Sequence, residues 1–147
     1  NNPLFDRKIR KSRSAFGLRM VTTKDSFTYF TEEHTTPRMT VFGADQSPTY
    51  SKSVFWTTFL NQDTAVALGT ERFAKKYNLP VLYGSIHKVK RGHYTLDIDV
   101  LFDDPNQTAE GEITKAHTRK LEEQILAHPE YWLWTHKRWK RVRKENE

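Results

Sequence analysis

Residues 40–86 constrain the fold more than any other part of the chain, because strand-like runs and a helix-like stripe alternate there. Short runs of β-branched and aromatic residues at 41–42, 54–59 and 81–86 are typical of strands. A helix between two such strands predicts a sheet with a helix on one face. The polar loop at 44–52, which we call the Asp-Gln loop, follows the first of these strands, where we expect a site.

The predicted central helix has a clear apolar stripe and a clear end. Val66, Phe73 and Tyr77 fall at helical spacing. The Asp and Thr at 63–64 can cap its start, because a short side-chain oxygen accepts hydrogen bonds from the first free amides. Pro80 forbids continuation. We therefore predict a helix from about residue 64 to residue 77.

The rest of the chain gives an α/β pattern in one domain of 147 residues. We expect a mixed β-sheet flanked by helices. Helices are predicted at 4–16, 23–33, 113–127 and 130–139, and further strands at 18–21 and 93–102.

The predicted strand 93–102 alternates cleanly and should pair as a hairpin with the strand before it. Tyr94, Leu96, Ile98 and Val100 face one way, with carboxylates on the other side. This pattern predicts a half-buried strand. His87 and His93 could meet across the hairpin, but two histidines without a third ligand do not define a metal site.

Composition excludes several kinds of site and segment, and the charge distribution favours one kind of partner. The chain contains no cysteine, so neither disulfides nor thiolate metal sites are possible. No apolar run reaches the roughly 18 residues of a membrane span. The net charge of +6 is concentrated at both ends, which favours an anionic partner: phospholipid headgroups, nucleic acid or a phosphorylated substrate. Solvated helix faces are the alternative explanation.

The segment 128–140, HPEYWLWTHKRWK, carries the most specific pattern in the chain. It resembles the closing signature of the bacterial lipid A late acyltransferases, the lauroyl/myristoyl transferase family. The resemblance extends upstream to the Asp-Gln loop and to the first predicted helix. The matching positions of the closing signature are Pro129, Tyr131, Trp134, His136, Arg138, Trp139 and Lys140.

The resemblance implies a partial glycerolipid-acyltransferase-like fold and three substrate-binding residues. Arg13 would hold phosphate oxygens, since a guanidinium fork binds them bidentately. Asp45 and Gln46 would line the pocket wall. The alternatives are a solvent-facing Arg13 and a turn-forming Asp45.

The family's catalytic motif, His-x4-Asp/Glu, lies before the matched region. In that motif a carboxylate orients an imidazole, which removes the proton from the attacking hydroxyl. His117 and Glu122 show the same spacing, but they lie within the predicted helix 113–127 and outside the aligned position. We therefore expect residues 1–147 to be the C-terminal portion of one acyltransferase domain, with no catalytic residue and no activity alone.

The implied reaction moves a fatty acyl chain from acyl carrier protein or acyl-CoA to a hydroxyl of a lipid A precursor. It would take place at the cytoplasmic face of the bacterial inner membrane, without metal, cofactor or nucleic acid. An anionic membrane surface would be a further partner. We expect Tyr131 and Trp134 to be buried, and the exposed, membrane-facing residues to be Lys137, Arg138, Lys140 and Arg141.

Two other functions fit the residues. A basic, aromatic-rich module could bind nucleic acid if Phe55, Trp56 and Tyr83 formed a stacking surface. An acyltransferase of the same superfamily could instead act on another membrane lipid. Salt-sensitive binding to oligonucleotides without binding to anionic vesicles would favour the first.

Overall fold

The structure, a computed structural model, describes residues 2–22, 24–33, 35–49 and 53–143 of the chain. The residues divide into two units, 1–39 and 40–147, each described by itself below. Helices and strands are both present, so the predicted α/β class is confirmed.

The first unit contains two helices, α1 (Pro3–Arg13) and α2 (Ser26–Thr31). The Asn2 side chain caps α1 by accepting hydrogen bonds from two first-turn amides, at 3.1 and 3.4 Å. The predicted helix 4–16 is confirmed in a shorter form. The helix predicted at 23–33 is also shorter, and its first residue, Thr23, lies outside the described residues. The strand predicted at 18–21 is wrong, because this apolar run has no neighbouring strand to pair with among the described residues.

The second unit begins with an antiparallel hairpin of β1 (Val54–Phe59) and β2 (Gln62–Ala67). Its two-residue turn has positive φ at Leu60 and Asn61, the turn geometry that matches the twist of paired strands. The helix start predicted at 63–64 is wrong, since pairing with β1 holds these residues in a strand. The strand predicted at 41–42 is also wrong.

The helix α3 (Gly69–Tyr77) follows β2 and ends at Asn78 in the left-handed conformation. A second antiparallel hairpin then joins β3 (Val81–Lys90) to β4 (His93–Phe102). The two hairpins form separate two-stranded sheets in the part of the chain that the structure describes, rather than one mixed sheet.

The long helix α4 (Glu112–Ala127) packs on both hairpins and on α3. Short 3-10 turns at Pro105–Gln107 and Pro129–Tyr131 flank it. The helix predicted at 113–127 is therefore confirmed. The one predicted at 130–139 is wrong, because only a single 3-10 turn forms before the chain becomes irregular.

The apolar core is small and lies where α3, α4 and the end of the second hairpin meet. Ile113 is fully buried there, against Ala74 and Val81. Phe59 forms a second buried point at the end of β1. This small core agrees with a chain in which only 36% of residues are hydrophobic.

A buried carboxylate ties α3 to the start of α4. Glu71, which is 3% exposed, accepts hydrogen bonds from the Gly111 amide at 2.6 Å and from the Thr114 amide and hydroxyl at 2.9 and 2.7 Å. Lys75 adds a cation at 3.7 Å. Because α4 has no side-chain cap of its own, Glu71 satisfies the free amides of its first turn from another helix.

Glycine is required at the start of α4. Gly111 has a φ of +80°, and a Cβ added there would overlap the ring of Phe55. The close approach of β1 to α4 therefore depends on the missing side chain.

Replacing Glu71 by Gln should lower the free energy of unfolding by about 2 kcal/mol, because it weakens charge-assisted hydrogen bonds in a buried site. Urea unfolding at pH 7 measures the difference. Glu110→Gln is the matched control, since Glu110 is exposed. Equal stability of the two variants would contradict a capping role.

The decrease in the free energy of unfolding caused by Glu71→Gln should also depend on pH. Burial disfavours the charged form, but the three hydrogen bonds and Lys75 outweigh it, so the pKa of Glu71 lies below its ordinary 4.5. The carboxylate's contribution is then present above that value and is lost as the pH falls through the lowered pKa. Below it, wild type and Glu71→Gln should approach each other in thermal unfolding.

Candidate functional site

The structure describes residues 44–49 of the Asp-Gln loop. Side chains from the C-terminal part of the chain form hydrogen bonds with its backbone. The Ser47 amide donates to Nε2 of His136 at 3.1 Å. The Thr49 carbonyl accepts from Nη1 of Arg141 at 3.1 Å. Asp45 and Gln46 are exposed, whereas the following Pro48 is buried. The loop is therefore fixed at its base and presents two polar side chains outward.

Arg138 lies beneath this loop and is only 4% exposed. Its Nη1 donates to the Ala65 carbonyl of β2 at 3.0 Å, and its guanidinium carbon is 5.7 Å from the centre of the Phe59 ring. Burial lowers the pKa of Arg138, and the charge of Asp45 acts against that shift. The residue nevertheless stays cationic at neutral pH, because a guanidinium is so weakly acidic.

Aromatic rings hold the C-terminal segment, residues 132–143, against the first hairpin. The Phe59 ring lies 6.2 Å from that of Trp132 and 6.3 Å from that of Trp139. The Trp139 indole donates to the Thr64 hydroxyl at 2.8 Å. At the end of the segment, Arg143 pairs with Asp63 at 3.3 Å.

The polar groups of this loop are suited to binding a ligand through hydrogen bonds. His136 accepts through Nε2, so its neutral ring carries the proton on Nδ1. Asp45 is an exposed acceptor whose charge is balanced by the buried Arg138. The exposed Asp45 carboxylate can accept hydrogen bonds from a hydroxylated ligand, and the Gln46 side-chain amide can both accept and donate them.

The structure corrects the predicted exposure of the C-terminal segment. Arg138 and Arg141 are buried, at 4% and 6% exposure, so neither guanidinium faces outward as predicted. The physical reason is that an irregular chain, unlike the predicted helix, lets both reach carbonyls of β2 and the Asp-Gln loop. Lys137 and Lys140 are exposed, and their contact with a membrane stays a prediction.

The two aromatic residues expected inside are exposed instead. Tyr131 and Trp134 are each 57% exposed. The Trp134 indole donates to the Pro129 carbonyl at 2.7 Å, which ties the ring to the 3-10 turn rather than to the core. Trp132 and Trp139 take the inner positions.

Arg13 lies in the first unit, in the last turn of α1, and is exposed. Its role in binding phosphate stays a prediction. Sequence reasoning missed the structural roles of His136 and Arg138. Both belong to the segment that carries the family resemblance, and that was the one signal that pointed to them.

His117 and Glu122, the one pair with His-x4-Glu spacing, lie on α4 with separate neighbours. The Glu122 carboxylate accepts from the Leu60 amide at 2.6 Å and from Arg119 at 2.7 Å, so it holds the β1–β2 turn. Burial lowers the pKa of His117 to about 4, with Glu71 acting against it. Its Nε2 is buried and makes no hydrogen bond to any described residue.

The second hairpin does not bring its histidines together. His87 lies opposite Thr95 and contacts the Asp97 carboxylate at 3.4 Å, whereas His93 lies opposite Lys90. Across the described ranges, no group of three or more His, Cys, Asp or Glu side chains is placed to bind a metal ion. Nor do those ranges contain a helix long and apolar enough to span a bilayer.

The fold and this loop define an α/β protein with a polar surface fixed by buried arginine. Residues 1–141 match the model of the family described as bacterial lipid A biosynthesis acyltransferase. The chain belongs to that family, and the resemblance carried by its C-terminal segment is confirmed. No curated protein and no solved structure matches it significantly. The class of activity is therefore acyl transfer in lipid A biosynthesis.

Replacing Arg138 by Met should destabilise the second unit by about 2 kcal/mol, because the Ala65 carbonyl loses a charged donor and Asp45 loses its counter-charge. Lys137→Met is the matched control, since Lys137 is exposed. Urea unfolding gives the stability difference. Amide hydrogen exchange should also show faster exchange at Ser47 in Arg138→Met alone; unchanged exchange there would contradict the proposed support of the loop.

His117 should make stability fall in mild acid. The unfolded chain binds a proton near pH 6.5 and the folded chain only near pH 4, so the free energy of unfolding decreases as the pH drops between these values. His117→Leu should flatten this part of the curve, measured by thermal unfolding from pH 7 to pH 4. His93→Leu, at an exposed position in β4, is the matched control. A curve that keeps its slope in His117→Leu would show that another group titrates.

Proposed function

We propose that this chain is the substrate-handling portion of an enzyme that transfers a fatty acyl chain to a hydroxyl of a lipid A precursor. Acyl carrier protein or acyl-CoA would be the donor. The family match supports the reaction class. The choice of donor and acceptor extends that class through the family resemblance.

The observation that carries the proposal is the attachment of the Asp-Gln loop to the closing signature. His136, a residue of that signature, accepts a hydrogen bond from the Ser47 amide of the loop, and the charge of Arg138, another, acts on Asp45. Segments that are 89 residues apart in sequence thus meet at one surface. A surface built from both motifs suits an acceptor with hydroxyl groups to orient.

We further propose that the catalytic histidine comes from a segment outside these 147 residues. The internal pair of matching spacing is already used in the fold: Glu122 holds the β1–β2 turn, and burial lowers the pKa of His117 to about 4, which makes it a weak base. A general base must reach the hydroxyl proton directly or through one water, and a helix face packed in the core does not allow that.

Arg13 is the proposed phosphate ligand, and the cytoplasmic face of the inner membrane is the proposed location. Support for the first is an exposed guanidinium at the end of α1, near two other basic side chains, Arg10 and Lys11. Such a cluster attracts a lipid that carries phosphate groups. The location follows from the proposed acceptor.

The nucleic-acid alternative needs an aromatic stacking surface. Phe55 packs beside Gly111, and Trp56 lies under the guanidinium of Arg143 at 5.0 Å. The Tyr83 hydroxyl donates to Gln124 of α4 at 2.7 Å. These three rings are each occupied within the protein, so no observation favours this alternative.

The purified chain should not acylate a lipid A precursor when supplied with acyl carrier protein thioester or acyl-CoA. Mass spectrometry of the lipid product measures this. Product formation that His117→Gln abolishes would refute the assignment of catalysis to another segment.

Acceptor binding should depend on the Asp-Gln loop. Asp45→Asn should weaken binding of a lipid A precursor by roughly tenfold, because a charge-assisted hydrogen bond contributes on the order of 1.5 kcal/mol. Asp103→Asn, at an exposed position in another loop, is the matched control. Isothermal titration in detergent measures both affinities, and equal affinities would contradict the role of Asp45.

A further inference from the structure

The second hairpin has an apolar face whose large side chains are exposed. The register places the even positions of β3 opposite the even positions of β4, on one face of the hairpin. None of the cross-strand pairs from Leu82 to Ile86 on this face contains a polar side chain. Its large side chains and their exposures are Leu82 (44%), Ile86 (69%), Leu96 (56%), Ile98 (50%) and Val100 (59%).

The face that packs on α4 is the polar one. Asp99 pairs with Lys120 of α4 at 3.1 Å, and Asp97 contacts His87 at 3.4 Å. The hairpin therefore places its carboxylates on the inner side and leaves none on the outer, apolar face. An antiparallel sheet with one solvated face normally has the opposite polarity.

The tip of the hairpin is basic. Lys88, Lys90 and Arg91 fall within residues 86–96, a stretch without any Asp or Glu. Lys88 extends toward the Tyr131 ring, with its Nζ 5.6 Å from the ring centre. Lys90 and Arg91 form no ion pair with a carboxylate of the described residues. Tyr94, opposite Lys88, adds an exposed amphipathic ring at the same end.

We propose that this hairpin is the surface through which the protein rests on an anionic phospholipid bilayer. The apolar face would lie at the boundary between headgroups and acyl chains, over a length of about 20 Å for six residues of strand. The basic tip would meet lipid phosphates, and Tyr94 would sit at headgroup depth. Charge complementarity selects an anionic bilayer over a neutral one.

This surface differs from the one expected from sequence, of which Lys137 and Lys140 remain exposed. Two of the four basic side chains predicted to face lipid donate elsewhere: Arg138 to the Ala65 carbonyl of β2, and Arg141 to the Thr49 carbonyl of the Asp-Gln loop. The inference rests on the proposed function only in its choice of a membrane, where a lipid A precursor would be found.

The chain has no cysteine, so a single introduced cysteine reports its position without background. Leu96→Cys labels the apolar face, and Thr95→Cys labels the opposite face one residue away. Each variant of the full chain would carry an environment-sensitive fluorophore. Vesicles of phosphatidylglycerol and phosphatidylcholine should shift the emission of the Leu96→Cys label to the blue and leave the Thr95→Cys label unchanged.

The basic tip is tested by charge reversal in the exposed turn. Lys90→Glu with Arg91→Glu should reduce co-sedimentation with the same vesicles by at least about tenfold, because each basic residue near the surface contributes on the order of 1 kcal/mol. Lys115→Glu with Arg72→Glu is the matched control, since both side chains are exposed elsewhere. Binding should also weaken as salt rises and should be low on pure phosphatidylcholine.

Three results would overturn the proposal. The first is equal shifts of the two labels with vesicles. The second is binding that falls with the Lys115 and Arg72 substitutions rather than with those at the hairpin tip. The third is a blue shift of the Leu96→Cys label without vesicles that rises with protein concentration, which would show that a second copy covers the face. Vesicle binding needs no turnover, so it stands or falls separately from the acyl-transfer proposal.

Discussion

The interaction on which most of the second unit depends is the capping of α4 by Glu71. A buried carboxylate on one helix accepts three hydrogen bonds from the first turn of another, and these bonds compensate the loss of its hydration. This contact fixes where α4 begins, and α4 is the element on which both hairpins pack. One buried charge therefore positions the start of the helix on which both hairpins pack.

The C-terminal segment packs on the first hairpin and also buries charged side chains, Arg138 and Arg141. Arg138 donates to the Ala65 carbonyl of β2, and Arg141 donates to the Thr49 carbonyl of the Asp-Gln loop. Burying a guanidinium is unfavourable unless it finds such acceptors, and here the aromatic rings around Phe59 supply the apolar part of the packing. The segment that carries the family resemblance therefore also holds the first hairpin and the base of the Asp-Gln loop.

The parts of the sequence that predicted structure correctly are those in which local signals agree. The stripe and flanking breaks of α4 define a helix, and the alternation of β4 defines a strand paired in a hairpin. The start of α3 was wrong because Thr64, Ala65 and Val66 suit either a strand or a helix, and pairing with β1 decides between them. The helix predicted at 130–139 was wrong because a proline favours the start of a helix but does not determine its length.

By itself, the sequence determined the family, the α/β class and the loop that carries Asp45 and Gln46, because each depends on residues close together in the chain. Tertiary structure alone decided which charges are buried and which sheet face is exposed. A run of Arg and Lys does not show whether its side chains are solvated or donate to buried carbonyls. Alternation in a strand likewise does not show which face packs against the rest of the protein. Those choices depend on contacts between residues far apart in sequence, such as Arg138 with Ala65 and Lys120 with Asp99.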